Sequence, residues 1–365
     1  MQVMKTPRTV DIDITNRCNL RCRYCYHFSG PGDVGSDLTK EEWLHFFEEL
    51  NRAAVMDVVL AGGEPLVRND LPEVIEGIVK NRMRFSILSN ATLIDDAFAS
   101  FLHATKRCNE VQVSIDGASP AVHDSCRGAG AFDKAVTGIR CLQRQQVPVA
   151  VRVTIHRHNV SDLANIAYFL LEELGLPSFS TNAASYLGLC RSNMDDVGLS
   201  VEDRILAMET LVRLNRDYED RITANAGPLA ETRLWSAMEQ ARTNKTALSG
   251  GGHLTGCGCV MNTIAVRADG VIVPCTMLSH IELGMINRDD FQKIWQSHPE
   301  MVRMRQRQLT ELRGFDFCRG CEFVEYCTGN CPGLAYTITG NINQPSPDAC
   351  YRKFLQEGGR LPHPL

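Results

Sequence analysis

Apolar positions in the first half of the chain switch repeatedly between two periods. Strand-like runs fall at Val10–Ile14, Asp57–Ala61, Arg84–Leu88, Val111–Ile115, Val149–Ile155 and Ser178–Ala184. Helical stretches lie between them. Thr39-Lys-Glu-Glu42 is a capping box. Trp43, Phe46, Phe47 and Leu50 then recur at i, i+3, i+4 and i+7 as one buried face. Leu71–Asn81, Asp95–Thr105 and Phe132–Gln145 read as helices, the last with Phe132, Val136, Ile139 and Leu142 on one stripe. Ser161 reads as the cap of a helix that runs to Leu174 and stops at Gly175. Six strands alternating with five helices imply a parallel α/β sheet with right-handed crossovers. In parallel α/β sheets chemistry gathers at the C-terminal strand ends.

The second half loses this alternation. Ser200-Val-Glu-Asp203 begins a helix whose apolar face is Ile205, Met208, Leu211 and Val212, and Glu231–Arg242 is a further helical stretch. Leu248–Gly258 is glycine-rich and reads as a connector. Thr263–Val266 and Val271–Val273 flank Asp269-Gly270, a strong hairpin signal. Asp289–Trp295 is helical, followed by the basic, methionine-rich Met301–Gln308. The expected division is an α/β domain over 1–195, a helical connector over 196–250 and a small cysteine-rich domain over 251–365.

Composition narrows the possibilities. The 365 residues suffice for two or three domains and a large core. Lys+Arg 38 against Asp+Glu 43 gives a net charge of −5, without a basic patch that would argue for nucleic acid. No apolar run approaches the roughly 18 residues of a membrane span. Met1–Thr9 has no apolar signal-peptide core, so a cytoplasmic location is expected. In a reducing compartment, 15 cysteines point to metal ligation rather than disulfides. Three lie near the N-terminus and eight between Cys257 and Cys350. Cys108, Cys126, Cys141 and Cys190 have no spacing partners and read mostly as small buried side chains, with Cys126, beside Arg127, the one to test.

The loop after the first strand holds Cys18-Asn-Leu-Arg-Cys22-Arg-Tyr-Cys25, spaced C-x3-C-x2-C. Iron–sulfur clusters are held by cysteine thiolates, usually four. A cubane held by three keeps one iron open. Zinc prefers four ligands and C-x2-C pairs, which this spacing fits poorly. The loop resembles the signature C-x3-C-x-aromatic-C of the radical S-adenosylmethionine (SAM) superfamily, with Tyr24 as the aromatic. The resemblance implies a partial (β/α)6 barrel of TIM type and a [4Fe–4S] cluster on Cys18, Cys22 and Cys25 that binds SAM and generates a 5′-deoxyadenosyl radical. Further motifs fall at strand ends. Gly62-Gly63-Glu64-Pro65 matches the family's GGEP segment, whose backbone contacts the SAM amino group; Glu64 is expected to hold the loop. Ser89 and Asn90 match a segment that faces the ribose or substrate. Ser114-Ile-Asp116-Gly117 resembles an S-x-D-G pattern in which Ser114 bonds the SAM carboxylate and Asp116 shapes the loop. Arg127 and Arg152 both qualify as the carboxylate-binding arginine. His156 and His158 receive no role.

In the second half, Cys257 and Cys259 precede the hairpin, Gly270-x4-Cys275 follows it, and Cys318-x2-Cys321-x5-Cys327-x3-Cys331 and Cys350 complete the set. Taken alone, these pairs also suit a zinc ribbon. The full spacing resembles a SPASM domain, which implies two auxiliary [4Fe–4S] clusters and so three clusters in all. By that resemblance Cys257, Cys259, Cys275 and Cys331 hold one, and Cys318, Cys321, Cys327 and Cys350 the other. The close Cys257-x-Cys259 step leaves three or four ligands open for the first.

The resemblance favours an oxidoreductase that crosslinks a ribosomally made precursor peptide through a thioether, carbon–carbon or ether bond. A reductant such as flavodoxin or ferredoxin would supply electrons. Strand one starts near residue 10, so leader recognition is expected from a separate protein or from the barrel and SPASM surfaces. Sulfatase maturation to formylglycine is a second reading; its enzymes place an acid straight after the third cysteine of this domain, where this chain has Thr276. A non-catalytic electron carrier is a third, and it would have no need of the GGEP-type and S-x-D-G loops.

Overall fold

The computed structural model describes residues 3–28, 36–255 and 257–362. The outermost ends of the first and last expected domains, and position 256 in the glycine-rich connector, lie outside them. Ten strands form one sheet: β1 (Thr9–Thr15), β2 (Asp57–Gly62), β3 (Arg84–Ser89), β4 (Cys108–Ser114), β5 (Val149–Ile155), β6 (Phe179–Ala183), β7 (Ile222–Ala224), β8 (Thr263–Val266), β9 (Val271–Val273) and β10 (Gly284–Met285). The spatial order is β10-β9-β8-β1-β2-β3-β4-β5-β6-β7, parallel from β8 through β7. The helices are α1 (Lys40–Arg52), α2 (Leu71–Lys80), α3 (Asp96–Thr105), α4 (Pro120–Arg127), α5 (Ala131–Arg144), α6 (Leu163–Tyr168), α7 (Cys190–Val197), α8 (Val201–Asp217), α9 (Pro228–Asn244), α10 (Phe291–Ser297), α11 (Pro299–Gln306), α12 (Pro332–Thr339) and α13 (Tyr351–Gln356).

The six expected strands and their parallel order are present. Two features go further. β7 adds a seventh parallel strand beside β6. β8 pairs in parallel with β1, with Asp11 opposite Ala265. A barrel left open at β1 would expose a row of unpaired backbone groups there. The β8–β9 hairpin covers that edge, so the cysteine-rich half continues the barrel's own sheet. Val10, Ile12 and Ile14 of β1 point outward into the core, where Trp43, Phe46, Phe47 and Leu50 of α1 are fully buried. The alternate residues Asp11 and Asp13 therefore face the concave side.

The Thr39/Glu42 capping box forms, as does the Ser200/Asp203 one. The Ser161 cap does not. Ser161 lies inside a 3-10 turn over Val160–Asp162, followed by α6 and a π turn over Phe169–Glu173. An N-cap needs an extended backbone. Here Asn159 ties the turn down, its Oδ1 accepting from the His156 N–H at 2.8 Å, so Ser161 is already wound. α4, between β4 and α5, was not expected: its eight residues carry too few apolar positions to show a period. Pro120 starts it at a place where no N–H is needed.

Candidate functional site

The cysteine loop leaves the C-terminal end of β1 and is braced by the GGEP-like segment. The Gly63 N–H donates to Thr15 O and the Glu64 N–H to Arg17 O, both at 2.9 Å. A Cβ on Gly63 would collide with the Arg17 carbonyl, and Gly62 sits at φ +109°, so glycine is required at both. Glu64 is buried. It accepts from the Ser89 hydroxyl at 2.8 Å, the Asn90 N–H at 2.7 Å and the Leu66 N–H at 3.2 Å. Burial pushes its carboxyl up to about 7 against those bonds. Pro65 begins the 3-10 turn that follows. Asn90 donates to Asn19 at 2.9 Å and lies 4.0 Å from the Cys18 sulfur.

Under the loop sits a buried polar knot. Asp116 is fully buried and accepts from the Tyr24 hydroxyl, from Arg127 Nε at 2.5 Å and from the Thr154 N–H at 2.7 Å. Burial alone would raise its pKa, but the Arg127 guanidinium holds it below the ordinary carboxylate value. Tyr24 stacks on His156 with ring centres 5.3 Å apart, and Arg127 reaches within 4.0 Å of the Cys22 sulfur. His156 Nε2 has no partner among the described residues, and burial pushes that imidazole down to about 4. Ser114 and Arg152 face each other across β4 and β5. Arg152 makes one long contact, 3.4 Å to the Ser180 hydroxyl.

Cys18, Cys22 and Cys25 are free thiols grouped around this base. Burial raises the Cys18 thiol to about 11 and the Cys22 thiol to about 12. The Leu20 N–H donates to the Cys18 sulfur at 3.4 Å. Three soft donors in one half-exposed loop, one of them accepting from a backbone N–H, suit an iron–sulfur cluster with one open iron.

The other eight cysteines form two groups. Cys259 shares hydrogen bonds with both Cys257 and Cys275; the Cys259 thiol is driven up and its two partners down. Cys331 and Cys257 are electrostatic neighbours. Cys318, Cys321, Cys327 and Cys350 line one small cavity. The SPASM resemblance groups the same residues in this way. Among the described residues, no three His, Cys, Asp or Glu side chains close on a point as a single metal ion requires.

A cavity of about 320 Å³ is walled in part by residues that directly follow Cys25 and Cys275. Its walls include Tyr26 and His27, just after Cys25, and Thr276 and Met277, just after Cys275. Gly188 closes another side; a Cβ there would strike the Tyr26 carbonyl. Asp13 also lines it. That carboxylate is 5% exposed, its Oδ1 has no partner among the described residues, and its Oδ2 is 3.7 Å from His27 Nδ1. Burial, then the charge of Asp11, raises Asp13 to about 7. Sequence reasoning gave Asp13 no role, although the alternation Val-Asp-Ile-Asp-Ile already put two acids on one strand face. A wider groove of about 770 Å³ between β10 and α10–α11 lies away from the cysteines.

The chain matches the radical SAM superfamily over residues 12–170 and an iron–sulfur cluster-binding SPASM domain over residues 257–322. It is 29% identical to the Fe-coproporphyrin III synthase of Methanosarcina barkeri, over 96% of this chain and 90% of that one. It is 25% identical to the PqqA peptide cyclase of Granulibacter bethesdensis, over 96% and 88%. The fold matches Streptococcus suis SuiB bound to its precursor peptide SuiA with a TM-score of 0.71, at 14% identity, covering 96% of this chain and 77% of that one. No helix among the described residues is long and apolar enough to cross a membrane. The protein carries a radical SAM domain built on a partial α/β barrel, followed by a SPASM iron–sulfur domain.

Proposed function

We propose that this chain is a radical SAM maturase that crosslinks a precursor peptide in the cavity walled in part by the residues after Cys25 and Cys275. A [4Fe–4S] cluster on Cys18, Cys22 and Cys25, with SAM beside it, would supply the 5′-deoxyadenosyl radical. The remaining tasks fall to the chain. Gly62–Pro65 fixes the loop. Arg127 is occupied by Asp116, whereas Arg152 has only a long hydroxyl contact and is depressed by burial. Arg152, with Ser114 beside it, is therefore our choice for the SAM carboxylate.

The observation that carries the peptide reading is Asp13. A buried carboxylate oxygen without a donor costs free energy until something fills it. A peptide brings amide and side-chain N–H donors. A porphyrin polycarboxylate brings carboxylates, which offer Asp13 no N–H donor, although Arg191 and Arg267 line the same cavity. The peptide cyclase relative acts on a peptide by its name and supports the same reading. Thr276 lines the cavity where a formylglycine-forming enzyme would carry its acid, which weighs against that chemistry. A flavodoxin or ferredoxin as electron donor, and a separate leader-binding protein, complete the proposal.

A tetrapyrrole substrate is the second reading, favoured by the 29% identity to an iron-coproporphyrin enzyme. One experiment separates the two. The anaerobically reconstituted enzyme is given SAM and dithionite, with either a panel of iron tetrapyrroles (iron coproporphyrin III and the more highly carboxylated iron tetrapyrroles from which it could be formed) or the peptide from each small reading frame near its gene. Tandem mass spectrometry should find a two-hydrogen loss in one peptide and no change in any tetrapyrrole. A tetrapyrrole mass change with every peptide intact would overturn the proposal.

A further inference from the structure

Four arginines among the described residues are more than nine-tenths buried: Arg68, Arg127, Arg305 and Arg307. Two are neutralised by the protein, Arg68 by Asp70 at 2.8 Å and Arg127 by Asp116 at 2.5 Å. The other two have no carboxylate within ion-pair reach among the described residues. Arg307 is 2% exposed and spends its fork on backbone carbonyls: Nε on Ile342 O at 2.7 Å, one terminal nitrogen on Thr255 O at 2.7 Å, the other on Gln344 O at 3.1 Å. Arg305 is 4% exposed, donates from Nε to Val260 O at 2.8 Å and lies 4.6 Å over the Trp295 ring. Of its terminal nitrogens, one makes a long contact, 3.5 Å to Gln296 O, and the other has no partner among the described residues.

A guanidinium does not shed its proton in a protein, so burial leaves a full positive charge in need of an anion. Both arginines grip the backbone on either side of Cys257-Gly258-Cys259: Thr255 precedes it and Val260 follows it. The ionisable groups that act on Arg307 are Cys331, Cys257 and Cys259. The missing anion is therefore at the cysteine site itself. A [4Fe–4S] core with four thiolates is a dianion when oxidised and a trianion when reduced. A fixed cation beside it stabilises the reduced form more and raises the reduction potential. The second auxiliary set has a different neighbour, Arg352, which is only half-buried and so screened by solvent.

We propose that Arg307, backed by Arg305, is the built-in countercharge of the iron–sulfur group held by Cys257, Cys259, Cys275 and Cys331, and that it sets this group's reduction potential above that of the other auxiliary group. The assignment rests on reading these cysteines as cluster ligands. It makes this site the better electron acceptor of the pair, and Thr276 and Met277, which follow its Cys275, line the proposed substrate cavity.

The test is an anaerobic potentiometric titration of the full-length holoenzyme followed by electron paramagnetic resonance, with iron, sulfide and zinc quantified beforehand. Signals that do not shift on adding SAM belong to the auxiliary groups. In Arg307→Gln the higher of the two SAM-insensitive midpoints should fall by about tenfold in the reduction equilibrium, about 59 mV for one electron. Arg307→Lys should stay near the parent, and the other midpoint should not move. If the glutamine variant loses iron, retention of iron by the lysine variant supports the countercharge, and loss in both overturns it in favour of a bracket for the backbone. Unchanged midpoints in a fully loaded Arg307→Gln overturn this inference alone. Zinc in place of iron in the parent protein overturns the cluster reading as well.

Discussion

The two ends of the molecule bury positive charge beside cysteines in opposite ways. Under the N-terminal loop, Arg127 is locked to Asp116, and that pair is wrapped by Tyr24 and the Thr154 N–H. The cation there is cancelled before any cofactor arrives. Beside Cys257 and Cys259, Arg305 and Arg307 are cancelled by nothing in the described protein. The first arrangement builds a rigid, nearly neutral seat in which a bound cofactor meets fixed dipoles. The second leaves an unmet charge that only an anionic guest satisfies. The barrel site should therefore hold its shape empty, whereas the first auxiliary site should depend on its guest.

The largest effects break the division of labour between the sites. Replacing Cys18, Cys22 and Cys25 together by alanine should reduce 5′-deoxyadenosine formation under dithionite to background, read by liquid chromatography. Replacing Cys318 and Cys321 should instead leave that cleavage measurable and remove the peptide product. Equal loss of cleavage in both variants would erase the distinction. A smaller effect tests the neutral seat. Arg127→Met strands the Asp116 carboxylate and should cost about 3–5 kcal/mol in chemical denaturation. Adding Asp116→Asn to it should recover much of that loss, since removing both charges is far less costly than removing one.

These contrasts bear on what the sequence could and could not reveal. Strand positions were legible because each core strand carries its own period, and the cysteine sets because ligand spacing is local. The Asp116–Arg127 pair was half legible: both residues were singled out, but their mutual contact depends on α4, a helix too short to show a period. The pairing of β8 with β1 joins residues more than 250 positions apart, and nothing local encodes it. Arg305 and Arg307 looked like ordinary members of a basic, methionine-rich stretch. Only burial without a partner sets them apart, and burial is a property of the packed chain. Asp13 lay in plain view as an acid on the inner face of β1, but an alternating strand reads equally well as half-solvated.

Asp13 gives the next test, through pH. In the fold it keeps its proton up to about pH 7, against an ordinary value of 3.8. Between those limits the folded chain binds more protons than the unfolded one, so this contribution is fully present below about pH 4 and is lost as pH rises through 7. Asp13→Asn should flatten the decline by roughly 2–4 kcal/mol between pH 4 and 8 in urea unfolding. Glu64 and Asp11, raised to about 7 and about 6, slope the same way, and His123 and His156, lowered to about 4, slope oppositely. Glu64, His123 and His156 remain in both proteins and cancel in the difference, whereas Asp11, whose charge acts on Asp13, shifts with it and is part of what the difference reads. Parallel curves for parent and variant would show that Asp13 is solvated, and the peptide reading would lose its main support.

The smallest effect sharpens the comparison at the barrel end by asking which arginine is left over for a ligand. If Arg127 is consumed by Asp116, removing Arg152 should weaken SAM binding without unfolding the seat. Charge-assisted hydrogen bonds are worth about 1.5–3 kcal/mol, so Arg152→Met should raise the SAM dissociation constant roughly tenfold to a hundredfold by calorimetry on the reconstituted enzyme. Arg152→Lys should lie between the two, keeping the charge but losing the planar fork. Thermal stability should change little, because Arg152 has only its 3.4 Å contact with Ser180 to lose and burial already disfavours its charge. Unaltered SAM affinity in Arg152→Met would hand the carboxylate back to Arg127. Asp116 would then have to release that guanidinium on ligand binding, and the barrel seat would be as guest-dependent as the auxiliary one.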